Sequence, residues 1–217
     1  QALAVMDHSN VAKVFDAGMT ESGRSYFVME YVKGIPITEH CDRKKLGIAD
    51  RLKLVIQVCE AVQHAHQKGI VHRDLKPRNI LVSLEGNRSV CKVIDFGVAK
   101  AMAGPLTEKT IYTEHGQIIG TPEYMSPEQA AMTNQDIDTR TDIYSLGVVL
   151  YELLTGSQPF TTDYLRKGGF DHIRRVIREE DPPTPSTRIT SLAAPRASQI
   201  TKARHIELRE LKRELQG

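Results

Sequence analysis

His72-Arg73-Asp74-Leu75-Lys76-Pro77-Arg78-Asn79, followed at position 95 by Asp95-Phe96-Gly97, constrains this chain more than any other stretch. Two acids, a lysine, an asparagine and two arginines fall in two short segments. Between them lie two apolar, β-branched runs, Ile80 to Val82 and Cys91 to Ile94, with the turn residues Glu85-Gly86-Asn87 separating them. That pattern reads as a pair of strands with an acid-bearing loop on either side. Taken alone, His72-Arg73-Asp74 is a common surface tripeptide, and Asp95-Phe96-Gly97 is an ordinary strand-end turn. The order, the register of Lys76 and Asn79, and the intervening strand pair together make chance a poor account.

On these residues the chain resembles the protein kinase family, on its serine/threonine side. Phosphoryl transfer asks a protein for positioning and charge neutralisation more than for covalent chemistry. The resemblance implies Asp74 as acceptor of the substrate hydroxyl's proton. It implies Asp95 and Asn79 as the ligands of Mg²⁺, an ion that takes few carboxylates and keeps phosphate oxygens and water. Lys76, two residues beyond Asp74, is expected to reach the γ-phosphate of ATP; a lysine there is a serine/threonine-type mark. His72 is expected to pack on Phe96 inside an apolar column whose upper members are Leu3 and Val14, rather than to act as a base.

A second cluster, Gly120-Thr121-Pro122-Glu123-Tyr124-Met125-Ser126-Pro127-Glu128, is similar to the family's substrate-docking loop, with Ser126 where alanine is usual. Thr121 is expected to hydrogen-bond towards Asp74 and Lys76. The usual arginine partner of Glu128 is expected to lie in a part of the fold this chain lacks. Asp142-Ile143-Tyr144-Ser145-Leu146-Gly147 matches a central helix start whose aspartate holds the backbone of the 72–79 loop. An acid near a helix N-terminus is favourable in any case. Met29-Glu30-Tyr31-Val32 reads as the hinge, with Met29 as gatekeeper, the backbones of Glu30 and Val32 at the adenine edge and Leu81 beneath the ring. Arg73 is expected to await a phosphate on the loop that follows Asp95, where Thr107, Thr110, Tyr112 and Thr113 are the candidates.

Around these motifs the rest of the chain is ordinary. Hydrophobic residues make up 40% and charged residues 26%, as in a typical globular domain. A net charge of +2 gives no argument for nucleic acid or a membrane surface. Cys41, Cys59 and Cys91 form no Cys-x-x-Cys pair, which argues against a disulfide framework or a zinc site and fits a cytoplasmic setting. No apolar run approaches the roughly 20 residues of a spanning helix. Residues 1–8 read as the end of a helix, and Val11 to Val14 and Tyr26 to Tyr31 as a hairpin broken at Gly18 and Glu21-Ser22-Gly23. Asp50 to Lys68 reads as a helix stopped by Gly69, with Leu52, Val55, Ile56, Cys59 and Val62 on its inner face. Residues 98–127 read as a long functional loop. Asp142 to Leu154 reads as a helix buried nearly all round and ended by Gly156. Phe170 to Glu179 is expected to be helical, residues 181–186 a stiff extended segment, and Ile200 to Leu215 one polar helix with a stripe at Leu208, Leu211 and Leu215.

Two family features are absent: no Gly-x-Gly-x-x-Gly occurs, and the Val-Ala-x-Lys lysine is missing. Lys13 and Lys100 imitate its context but come too late in the chain, and both read as solvated. The fold expected is therefore α+β and kinase-like but truncated, with a partial small β lobe and a mostly helical large lobe. Residues 1–32 would end the small lobe and form the hinge, 33–180 the large lobe, and 181–217 a proline-containing segment and polar helix. A chain that begins with Gln rather than Met is expected to be a piece of a longer protein. The expected activity is transfer of the ATP γ-phosphate to serine or threonine hydroxyls of protein substrates, with ATP and Mg²⁺ as cofactors and no nucleic-acid partner. Two rivals stand beside it. One is a pseudokinase-like binding module, against which the intact Asp74, Lys76, Asn79 and Asp95 count. The other is a metal-dependent hydrolase, against which the lack of a second histidine at ligand spacing counts, since His64 and His66 face different sides of a helix.

Overall fold

The computed structural model describes residues 6–96, 121–131 and 137–216. The first residues of the expected opening helix lie outside this range, and Met6 to His8, which are described, are not helical. An antiparallel hairpin comes first, from β1 (Val14–Met19) and β2 (Ser25–Met29). Its first strand therefore starts where the sequence reading ended it and runs through Gly18. Val11 contributes only an isolated bridge to Val93. Gly23, with φ +76°, makes the turn, a conformation that costs glycine nothing.

A three-stranded sheet follows, in the order β3 (Ile35–Pro36), β4 (Ile80–Glu85), β5 (Arg88–Val93). The β4–β5 register pairs Glu85 with Arg88 across Gly86 and Asn87, and Gly86 takes φ +60°. Such a two-residue turn requires positive φ. The hairpin returns the chain to where it began, so the loops before β4 and after β5 meet at one end. The pairing continues there as a backbone bond from Ile94 N to Asn79 O at 2.9 Å.

Helices α1 (Ile37–Arg43) and α2 (Ile48–Gln67) precede the catalytic-type loop. Beyond it lie α3 (Pro127–Ala131), α4 (Thr139–Thr155), α5 (Thr162–Arg166), α6 (Gly169–Glu179), α7 (Pro185–Thr190), α8 (Ala194–Arg204) and α9 (Leu208–Glu214). The inner face of α2 is Leu54, Val55, Val58, Ala61, Val62 and Ala65. Leu52 and Ile56, expected inside, are 38% and 56% exposed, and Cys59 is exposed too. Both stripes have helical spacing; which one turns inward is decided by β5 and α4, against which α2 packs. The buried stripe joins Ile37, Leu75, Ile80, Cys91, Phe96, Leu146 and Val149 in one core. At about 1.5–3 kcal/mol for each fully buried aliphatic or aromatic side chain, this cluster is the main stabilising element around the site.

Helix α4 begins at Asp138, whose side chain accepts the Arg140 amide, and ends at Gly156 with φ +73°. It is not buried all round: Ile143 is 59% exposed. Helix α6 spans the expected residues and buries Phe170, Ile173, Val176 and Ile177 on one face, in a second core with Phe160 and Leu165. Residues 181–184 have no regular structure, and the extended segment expected over 181–186 stops short because Pro185 opens α7, since proline is tolerated at a first helical position. The expected helix over 200–215 is two helices, broken at His205, which takes φ +50°. The break folds Leu208, Leu211 and Leu215 back onto Ile189 and Ile200. A single straight helix would have carried the leucines away from that partner.

Candidate active site

The loop between α2 and β4 has no regular structure until the short 3₁₀ turn Pro77–Asn79, yet it is tightly held. Asp142, fully buried on α4, accepts the His72 amide on Oδ2 and the Arg73 amide on Oδ1, both at 2.8 Å. The expected holding role of Asp142 is thus visible as geometry. Arg73 takes φ +66°, a left-handed conformation costly for a side chain with a Cβ, and the bond from its amide to Asp142 helps to fix it. Two further partners were not foreseen. His66 Nε2 reaches Asp142 Oδ2 at 2.7 Å, and Gln129 on α3 donates to Arg73 O at 2.8 Å. Arg73 also carries an interaction beyond these.

His72 is fully buried and packs on Phe96, ring centroids 4.7 Å apart, with Nε2 2.9 Å from Ile94 O. Burial pushes its imidazole below the ordinary histidine range, against the opposing pull of Asp142. A neutral ring is what this site favours. Val14 of the expected column is half-buried at the start of β1; Leu3 lies outside the described residues.

Asp74, Lys76 and Asn79 come together. Lys76 Nζ sits 2.8 Å from Asp74 Oδ2. Asn79 Nδ2 donates to Asp74 O at 2.9 Å and more weakly to Asp74 Oδ2 at 3.4 Å. Because the Asn79 amide nitrogen is committed to Asp74, its carbonyl oxygen is the atom left to meet a cation. Asp95 lies just beyond β5, exposed, with φ +58°, another left-handed non-glycine position of the kind found at functional sites. Asn79 and Asp95 thus offer hard oxygen donors, the chemistry magnesium takes. The described residues hold no cluster of three His, Cys, Asp or Glu side chains fit for a metal.

The expected hinge leaves β2 at Met29, which is half-buried. The Glu30 carboxylate turns to Lys92 at 2.7 Å. That bond, aided by Lys13, holds its pKa below the ordinary value. Glu30 N is bound to Lys13 O, and Val32 O accepts Gly34 N at 2.9 Å. Gly34 must be glycine here, since a Cβ would stand 2.9 Å from Val82 O. Leu81 is half-buried in β4, paired with Pro36 and Lys92. Lys13 is exposed beside Asp7, as a solvated side chain should be.

Thr121 caps the 3₁₀ turn Pro122–Tyr124 and is exposed. Among the described residues no hydrogen bond joins it to Asp74 or Lys76. Glu128 accepts the Thr141 hydroxyl, so in this chain it is tied to α4. The Tyr124 hydroxyl donates to the Glu152 carboxylate, and Gln158 donates to both. Burial raises both pKa values; that of Tyr124 is raised further by the neighbouring carboxylate. Sequence reading missed this link because Glu152 sits within an apolar helix pattern and its partner is 28 residues away. Gly97, Lys100, Thr107, Thr110, Tyr112, Thr113 and Gly120 lie outside the described residues, and with them the candidate phosphorylation sites.

A family model described as protein kinase domain matches residues 1–208. Serine/threonine-protein kinase PknB of Mycobacterium leprae is 37% identical over 208 residues, covering 94% of this chain and 31% of the relative. PknB of Mycolicibacterium smegmatis is 40% identical over 195 residues, 87% of this chain and 29% of the relative. Pkn1 of Myxococcus xanthus is 39% identical over 195 residues, 89% and 26%. The chain thus spans less than a third of the length of these relatives. Among solved structures, the Mycobacterium tuberculosis PknI kinase domain aligns with a TM-score of 0.59 over 99% of this chain and 73% of that one, at 23% identity. That match speaks to the fold.

Proposed function

The chain belongs to the protein kinase family, and from that premise we propose that the protein transfers the γ-phosphate of ATP to serine and threonine hydroxyls of protein substrates. The observation that carries the proposal is the Asp74–Lys76–Asn79 cluster, 2.8 Å and 2.9 Å contacts in a loop whose backbone is tied to a buried aspartate. Relatives named as serine/threonine-protein kinases support it.

In this reading Asp74 accepts the proton of the attacking hydroxyl as its oxygen bonds to the γ-phosphorus and ADP departs. Lys76, already beside Asp74, places its ammonium where charge gathers on the transferred group. Asn79 and Asp95 hold Mg²⁺, which when bound neutralises phosphate charge. Thr121 positions the docking loop near Asp74. Met29, the backbones of Glu30 and Val32, and Leu81 enclose the adenine. Residues 1–32 act as the end of the small lobe and the hinge, and residues 33–180 as the large lobe. No helix of the described residues is long and apolar enough to cross a membrane.

The test is transfer of label from γ-labelled ATP to a serine/threonine protein by the full-length protein. Wild type should label serine or threonine only with Mg²⁺ present. Asn79→Ala should raise the Mg²⁺ requirement and cut the rate. Labelling independent of the metal, or of Asn79, would defeat the proposal.

A further inference from the structure

On the face of the molecule formed by α1, the end of α4 and α8, a cleft of about 280 Å³ is lined by Asp42, Lys45, Gly156, Arg196, Lys202 and Arg204, among others. Four of these side chains are cationic and one is acidic. The single carboxylate is already engaged, since Asp42 Oδ1 accepts from Arg51 Nη2 at 2.7 Å. None of the residues named here belongs to the catalytic-type cluster.

Arg204 is 3% exposed, and its partners are all backbone carbonyls: Nε to Leu154 O and Nη2 to Leu153 O, both at 2.8 Å, and Nη1 to Ile200 O at 3.3 Å. A guanidinium has five N–H groups, so these bonds leave two of them over. Arg196, exposed on α8, gives one bond to Gln199 and one to Gly156 O at 2.7 Å, which leaves three N–H groups open to solvent or to a ligand. Lys45 and Lys202 are exposed at the rim. Buried Arg51 adds a further positive charge behind Arg204; burial and this neighbour lower the Arg204 pKa to about 10. The cleft thus gathers cations that repel one another and donors in excess of acceptors. Both shortfalls are met by an anion with several acceptor oxygens.

We propose that this cleft binds a phosphate group. Its volume is below the roughly 300–1,000 Å³ of clefts that enclose drug-sized ligands, which suits a phosphate or phosphomonoester head rather than a whole nucleotide. Arg204 and Arg196 donate from the floor and wall, and Lys45 and Lys202 close over the anion from the rim. A free phosphate and a phosphorylated side chain present the same chemistry.

The experiment uses full-length protein saturated with Mg·ATP in the Asp74→Asn background, so that nucleotide occupies its own site. Inorganic phosphate is titrated in one arm and a phosphoserine peptide in the other, by calorimetry at constant ionic strength. Wild-type cleft residues should give saturable binding in at least one arm. The paired substitution Lys45→Gln with Lys202→Gln should weaken it tenfold or more while leaving the ligand-free melting temperature unchanged. Tighter binding of inorganic phosphate would identify a free phosphate as the source, and tighter peptide binding a phosphorylated chain. Absence of saturable binding in both arms, or equal binding by the double variant, would overturn the proposal.

Discussion

The carboxylate of Asp142 receives the backbone amide of Arg73 at 2.8 Å across 69 residues of sequence. The same carboxylate takes His72 N and His66 Nε2. One buried acid on α4 therefore fixes the backbone from which Asp74 projects. Asp142→Ala leaves the buried His72 amide and the part-buried Arg73 amide without an acceptor, at about 1–3 kcal/mol for a buried group. Urea unfolding should show a loss of roughly 3 kcal/mol. Asp142→Asn keeps one acceptor oxygen and should lose about half of that. Equal stability of all three proteins would remove Asp142 from this role.

Stability should also depend on pH through His72. Its buried imidazole resists protonation, whereas in the unfolded chain it takes a proton near pH 6.5. The unfolded state thus binds more protons below that pH, and stability falls as pH drops from about 6.5 towards the lower folded pKa. Buried His40 shifts in the same direction. Urea midpoints at pH 7.5 and 5.5 should differ in this sense, and His72→Asn should reduce the difference. A difference of unchanged size in the variant would refute the assignment to His72.

Burial sets the worth of two ion pairs. Arg51, 1% exposed, donates to Asp42, Leu46 O, Leu153 O and Ala203 O. Lys92 and Glu30 keep 17% and 28% of their side-chain surface. Asp42 itself is 52% exposed, so the cost of Arg51→Ala lies chiefly in the backbone carbonyls of Leu46, Leu153 and Ala203 that lose its hydrogen bonds, about 1–3 kcal/mol for each left buried without a donor. Lys92→Ala should cost about 1 kcal/mol or less, as for pairs open to water. Chemical denaturation of the two variants side by side checks the order; the reverse order would contradict it.

Where helix α4 ends, a side chain is excluded twice over. A Cβ on Gly156 would meet Ile200 Cγ1 at 2.8 Å, at φ +73°. The conformation alone costs about 1–2 kcal/mol. Gly156→Ala should therefore lower the melting temperature clearly. Gly47→Ala, where a Cβ meets nothing within 4 Å, should shift it little. Similar shifts for both would show that the α4–α8 contact is looser than described.

What the sequence revealed, and what it hid, follows from the range of the interactions. His72 on Phe96 and Asp142 under the loop were legible because those motifs carry their roles in fixed spacing. The inner face of α2 was legible at Val55 and Val62 but misread at Leu52, Ile56 and Cys59, because these three fall at the same helical spacing as the residues that are buried. Only packing against β5 and α4 separates the two. The break at His205 was hidden because a polar helix pattern continues through it. His66, Gln129 and the Tyr124–Glu152 link were hidden because each joins residues far apart through polar side chains that make no periodic signal.

The central claim is that Asp74, held by Lys76 and Asn79, takes the proton of the substrate hydroxyl. Single-turnover phosphoryl transfer by full-length Asp74→Asn, with Mg·ATP and a serine-containing protein substrate, measures it most directly. General-base assistance contributes on the order of 10²–10⁴ in rate. The variant should therefore transfer at least about 100-fold more slowly while binding Mg·ATP as tightly as wild type. Transfer at the wild-type rate would contradict the account.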